Sequence, residues 1–127
     1  MIIFLMITAC ADREQQSRDL VKKGKKKLSM GLNDEAMECF EEAIRKDRNN
    51  FEAWHRRGTT KISYAKYEES LSDFDMAIEL KPDYAPSYYN RGMAWFYMGE
   101  QDKACEDWKM AEAIGYLNIS DKTRHCP

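Results

Sequence analysis

The sequence predicts an all-α fold, an α-solenoid of three repeated units closed by a short C-terminal capping helix, and three observations carry that reading. The first is a period of 34 residues. Leu20, Trp54 and Tyr88 recur in register, followed by Gly24, Gly58 and Gly92, then Ala36, Ser70 and Ala104, then Phe40, Phe74 and Trp108, and last Ala43, Ala77 and Ala111. The second is helical spacing inside a unit: in Ala36-Met37, Cys39-Phe40 and Ala43-Ile44, apolar residues return three and four apart, as on one face of a helix. The third is punctuation. Gly31-Leu32-Asn33-Asp34, Asp47-Arg48-Asn49-Asn50, Lys81-Pro82-Asp83 and Met98-Gly99-Glu100 are turn-forming stretches between the apolar runs.

Taken in order, the chain opens with Met1-Ile2-Ile3-Phe4-Leu5-Met6-Ile7, an uninterrupted apolar run preceded by no Lys or Arg. It falls short of the about 20 apolar residues that cross a bilayer. With Thr8-Ala9-Cys10 behind it, it reads as a signal-peptide-like segment over 1–9. Ile7-Thr8-Ala9-Cys10 resembles a bacterial lipobox, which implies a lipid anchor on Cys10, a polar tether over 10–16 and a place in the bacterial cell envelope, on the periplasmic face or the cell surface. An apolar extension of the first helix, an uncleaved anchor and a cytoplasmic location are the alternatives.

The repeats occupy 17–50, 51–84 and 85–116. Their helices are expected near 14–30, 33–47, 51–64, 67–80, 85–98 and 101–114. Residues 117–127 form the C-terminal cap, with a helix within Leu117–Arg124, because the end of a stacked array needs a polar outer face.

The recurring glycines fall inside helices, where glycine costs about 1 kcal/mol relative to alanine. Three such costs in register point to close helix approach. Trp54, Phe74, Tyr88 and Trp108 then fill the space between hairpins. The order of large residue, glycine, small residue, aromatic and alanine, with Pro82 closing the middle unit, resembles the tetratricopeptide repeat, a helix–turn–helix unit of this length, over residues 17–116. The resemblance implies stacking into a right-handed superhelix.

Composition narrows the function. With 43% hydrophobic and 33% charged residues and a net charge of −2, the chain lacks the basic balance of a dedicated nucleic-acid binder. Locally, Lys22, Lys23, Lys25, Lys26 and Lys27 crowd the first repeat helix, and Glu35, Glu38, Glu41 and Glu42 its partner. Two solvated faces of opposite sign, or a basic entrance for an acidic partner or anionic lipid, both fit. Of the remaining cysteines, Cys39 reads as a buried small hydrophobe. Cys105 and Cys126 are a candidate disulfide clamping the cap. A metal site from Cys105, His125 and Cys126 lacks the paired spacing that zinc sites show.

No catalytic arrangement or cofactor motif is present. His55 and His125 join no nucleophile–base pattern, and the glycines form no phosphate loop. Arg57 and Asp73 recur as Arg91 and Asp107, 16 residues apart in both units, whereas the first unit has Lys23 and Cys39. The pattern predicts a structural ion pair within the second and third hairpins, worth about 1 kcal/mol where exposed.

A non-catalytic protein-interaction module is therefore the expected function. In tetratricopeptide proteins the first helix of each unit lines a concave groove. Carried over by position, the groove presents Val21, Lys22, Lys25 and Leu28, then His55, Arg56, Thr59 and Ile62, then Tyr89, Asn90, Met93, Phe96 and Tyr97. The gradient from basic to aromatic predicts a protein or peptide ligand with acidic and apolar segments. Packing beneath the cap is the alternative role for Trp95, Phe96 and Tyr97. The carboxylate clamp of chaperone-binding relatives is not matched: its places hold Val21, Lys25, Arg56, Pro86 and Asn90. Self-association through terminal hairpins, and a cysteine-dependent redox or metal-binding role, are the rival functions.

Overall fold

The computed structural model describes all 127 residues and contains seven helices and no strand. They are α1 (Ile2–Ser29), α2 (Asn33–Lys46), α3 (Phe51–Ser63), α4 (Tyr67–Leu80), α5 (Ala85–Tyr97), α6 (Gln101–Ile114) and α7 (Ser120–Thr123). Helices α1–α2, α3–α4 and α5–α6 form three antiparallel hairpins, and each hairpin packs on the next to give an α-solenoid. The repeat helices lie within a residue of their expected bounds except at the start of α1.

Close approach explains the recurring glycines. A Cβ on Gly24 would stand 2.5 Å from Cε1 of Phe40, and one on Gly92 would stand 2.6 Å from Nε1 of Trp108. The aromatic of each second helix thus lies directly on the glycine of the first. Phe40 and Phe74 are fully buried. One continuous core runs from Val21 through Ala36 and Phe40 to Ala53, Trp54 and Ala77, and a second surrounds Trp108.

The turn inside each hairpin is built the same way. The amides of Gly31 and Leu32 donate to Leu28 and Lys27, those of Ala65 and Lys66 to Ile62 and Lys61, and those of Gly99 and Glu100 to Phe96 and Trp95. This pair of bonds closes the preceding helix with one residue in the left-handed region. Gly31 and Gly99 take φ of 75° and 84° there, but the middle unit places Ala65 at 57°. A side chain in that region costs about 1–2 kcal/mol. Ala65→Gly is therefore expected to stabilise the fold by about 1 kcal/mol after the added chain entropy is deducted. An unchanged or lowered midpoint in urea unfolding would contradict this.

Two ion pairs link the hairpin helices, and they are not the exposed bridges the spacing suggested. Arg57 grips Asp73 with two hydrogen bonds of 3.0 and 2.7 Å, and Lys61 reaches the same carboxylate at 2.8 Å. Asp73 is 0% exposed. Arg91 holds Asp107 in the same fork, at 2.8 and 2.7 Å, and also contacts Asp75 at 2.9 Å. The bond to Asp107 is the main reason the Arg91 guanidinium is held above its ordinary pKa.

The N-terminal end departs furthest from expectation. Helix α1 does not start near residue 14; it runs unbroken from Ile2, so residues 10–16, read as a tether, are helical in this chain. Side chains from Met1 to Gln15 are exposed, and residues 2–15 extend about 20 Å beyond the first hairpin. No helix is long and apolar enough to cross a membrane.

At the other end, Gly115 closes α6 with φ of 106°, and α7 packs back on the last hairpin. A disulfide joins Cys105 to Cys126 across 5.5 Å between their Cα atoms. Ile119 and Cys126 stand one 34-residue step beyond Ala85 and Gly92, so α7 occupies the register of a further first helix. Ile119 is buried as Ala85 is.

Candidate functional site

The first helices of the hairpins touch one another, α1 against α3 and α3 against α5, and so line one face of the stack. Which residues face it follows from the 34-residue register. The fifth position of each unit holds Val21, His55 and Tyr89. In the structure this position faces the core and the next element of the stack, not the groove, which corrects three of the expected groove residues, Val21, His55 and Tyr89.

His55 is 3% exposed, and its Nδ1 is hydrogen-bonded to Ser87 Oγ of the next unit at 3.0 Å. Its ring meets Phe74 and Tyr84 edge-on. Tyr89 stacks on Tyr116 at 4.8 Å with Lys122 above it, so the C-terminal segment covers it. That burial also raises the Tyr89 hydroxyl above its usual pKa.

Burial lowers the His55 imidazole from 6.5 to about 4, because a charged ring there loses its water. The unfolded chain takes up a proton that the folded chain refuses, so stability falls as pH falls. The contribution is complete above about pH 6.5 and is lost as pH drops through 4, for a total of about 3 kcal/mol. Urea midpoints measured from pH 7 to pH 4 are expected to fall, and His55→Gln is expected to flatten that slope. An equal slope in the variant would refute the assignment.

The other expected groove residues form two groups. Around Glu52 gather the cations: Lys25 Nζ lies 3.1 Å and Arg56 Nε 3.5 Å from the same carboxylate oxygen. Arg56 Nε is buried without a hydrogen bond, and Lys22 is exposed with no ion pair. Glu52 could not be assigned from composition, but its place one turn before Arg56 was the available signal. The second group is apolar: Leu28, Ile62 and Phe96 recur every 34 residues, with Met93 beside them.

Between the groups, Thr59 lines a cleft with Leu28, Asn33, Thr60 and Ser63, and its hydroxyl donates to the Arg56 carbonyl. Asn90 Nδ2 donates to the Pro86 carbonyl at 2.8 Å, which leaves its Oδ1 for a ligand. Phe96 is half exposed and tilted against Trp108. Tyr97, also expected in the groove, instead stacks on Tyr67 of α4 at the hairpin-turn edge. No cluster of His, Cys, Asp and Glu side chains is placed to hold a metal ion.

Comparison with known proteins fits this geometry. Residues 20–50 match the sequence profile of the tetratricopeptide repeat. The first tetratricopeptide repeat domain of Spaghetti (RPAP3) bound to an HSP90 peptide, SRMEEVD, superposes with a TM-score of 0.83 at 25% identity, over 87% of this chain and 90% of that one. Crystalline MamA gives 0.75 at 28% identity, over 83% of this chain and 61% of that one. The Arabidopsis OM64 repeat domain gives 0.82 at 18% identity, over 87% and 91%. The chain matches none of the curated protein sequences. The unit is thus a helix–turn–helix repeat of the tetratricopeptide type, and the whole chain has the fold of tetratricopeptide repeat domains.

Proposed function

We propose that this chain is a non-catalytic interaction module whose concave face captures a protein segment carrying acidic and apolar side chains. The observation that carries the reading is the charge around Glu52. One carboxylate answers two cations, Lys25 and Arg56, and Lys22 stands free beside them. A ligand carboxylate complements that excess, and an apolar neighbour fits the row of Leu28, Ile62, Met93 and Phe96. The similar domain bound to SRMEEVD, itself an acidic peptide, supports a segment as ligand. The clamp positions here hold Val21, Lys25, Arg56, Pro86 and Asn90, so recognition of a free C-terminus is not carried over.

The test is a titration of fluorescein-labelled Ac-EELFEE-amide into the full chain. Saturable binding that weakens with salt is expected, and Lys22→Glu, Lys25→Glu, Arg56→Glu together should abolish it. Binding that survives the triple reversal would overturn the electrostatic half of the proposal.

The proposed place of action is the bacterial envelope, with Cys10 as the lipidated anchor. The exposed, unbonded Cys10 and the exposed apolar residues before it support that reading. Intact mass of the protein from host membranes tests it. Loss of residues 1–9 with an added acyl mass is expected, whereas an unmodified Met1 terminus would place the module elsewhere.

A further inference from the structure

The hairpin turns carry an apolar ridge that the groove does not use. One repeat position, the fourteenth, places Met30, Tyr64 and Met98 there, all exposed, and beside them Tyr97 is 51% exposed. Contacts between the turns explain one face of these rings: Tyr97 stacks on Tyr67 at 4.9 Å, and the Tyr64 hydroxyl donates to Asp34. The outer faces stay open.

Here too lies an open cleft of about 500 Å³ lined by Ala65, Lys66, Tyr67, Glu68, Glu69 and Met98. Its charge is opposite to that of the groove. Glu68 and Glu69 are exposed and make no ion pair. Lys61, the nearest cation on α3, is committed to Asp73, which leaves Lys66 as the cleft's own positive group.

We infer that this turn edge is a second docking surface, and that its ligand is a basic, apolar segment of a partner protein. A lysine or arginine of that segment lies over the open Tyr97–Tyr67 pair, where the ring quadrupole attracts it, with the Glu68 and Glu69 carboxylates beside it. An apolar side chain of the segment covers Met98, whose flexible thioether adapts to it. Tyrosine and methionine flanked by exposed charge with an acidic excess, Glu68 and Glu69 against Lys66, is the composition of an interface core with a polar rim. The surface is independent of the groove, because a segment suited to Lys22 and Arg56 is repelled by Glu68 and Glu69.

Titration of fluorescein-labelled Ac-KKLFKK-amide into the full chain tests this, with Ac-EELFEE-amide as the counterpart. Saturable, salt-sensitive binding of the basic peptide is expected. Glu68→Gln with Glu69→Gln should weaken it about tenfold, the sum of two exposed ion pairs. Tyr97→Ala should also weaken it, and Lys22→Gln with Arg56→Gln should leave it unchanged. Both glutamates are exposed, so a circular dichroism melt should show an intact fold in that variant. No saturable binding, or binding indifferent to the Glu68 and Glu69 changes, overturns the inference. Loss of basic-peptide binding with the acidic peptide still bound separates its failure from that of the groove.

Discussion

Asp73→Ala is expected to destabilise the chain by about 3–5 kcal/mol, the largest loss available from any polar residue here. The carboxylate is fully buried and serves three hydrogen-bonding or ionic contacts at 2.7–3.0 Å. Removing it leaves Arg57 and Lys61 half-enclosed without a counter-charge, and an uncompensated buried charge is the costly outcome. The pair itself contributes much less than that figure, because desolvation offsets most of its Coulomb attraction. Replacing Arg57, Lys61 and Asp73 together by apolar residues of similar size should therefore recover much of the loss. Urea unfolding of the single and triple variants distinguishes the two statements. A single-variant loss below about 1 kcal/mol would reduce the triad to an ordinary surface bridge.

Phe40→Ala is the second large effect, at about 3–5 kcal/mol. The ring is fully buried and lies on Gly24, so truncation leaves a cavity in the centre of the first hairpin. The same contact fixes the sign of the reciprocal change. In an open helix Gly→Ala stabilises by about 1 kcal/mol. Here the added methyl would meet Phe40 at 2.5 Å, and overpacking should destabilise by about 1–3 kcal/mol. Combining Gly24→Ala with Phe40→Leu should recover part of that loss, because the smaller side chain makes room. Thermal or urea melts of the three variants read all of this, and a stabilising Gly24→Ala would contradict the packing.

The repeat helices were legible because three constraints agreed: the glycine–aromatic contact at a fixed step, the apolar face of each second helix, and the turns at Gly31, Pro82 and Gly99. The start of α1 was not legible. An apolar run such as Ile2–Ile7 suits a leader segment and a helical extension equally, since both are helical and apolar.

The groove was read too generously at the fifth position of each unit and at Tyr97. His55 and Tyr89 lie on the first helices, but the superhelical turn of the stack directs their position at the next element, so His55 is buried against Ser87 and Tyr89 is partly covered by Tyr116. A single-unit pattern does not contain that rotation. The cap's register was available in the sequence, since Ile119 and Cys126 continue the period, but two residues without the intervening pattern carry little signal. The charge on Asp73 was visible; its burial was not, because a lysine one turn beyond Arg57 is required to complete its coordination.

The most direct test of the interaction-module account is photo-crosslinking in the living host, with a photoreactive amino acid at Thr59 in the groove, at Met93 beside it, and at exposed Glu79 of α4 as the reference. The account predicts discrete protein adducts from Thr59 and Met93, none from Glu79, and loss of the groove adducts when Lys22, Lys25 and Arg56 are reversed to glutamate. Equal adducts from Glu79, or groove adducts untouched by the reversal, would contradict it.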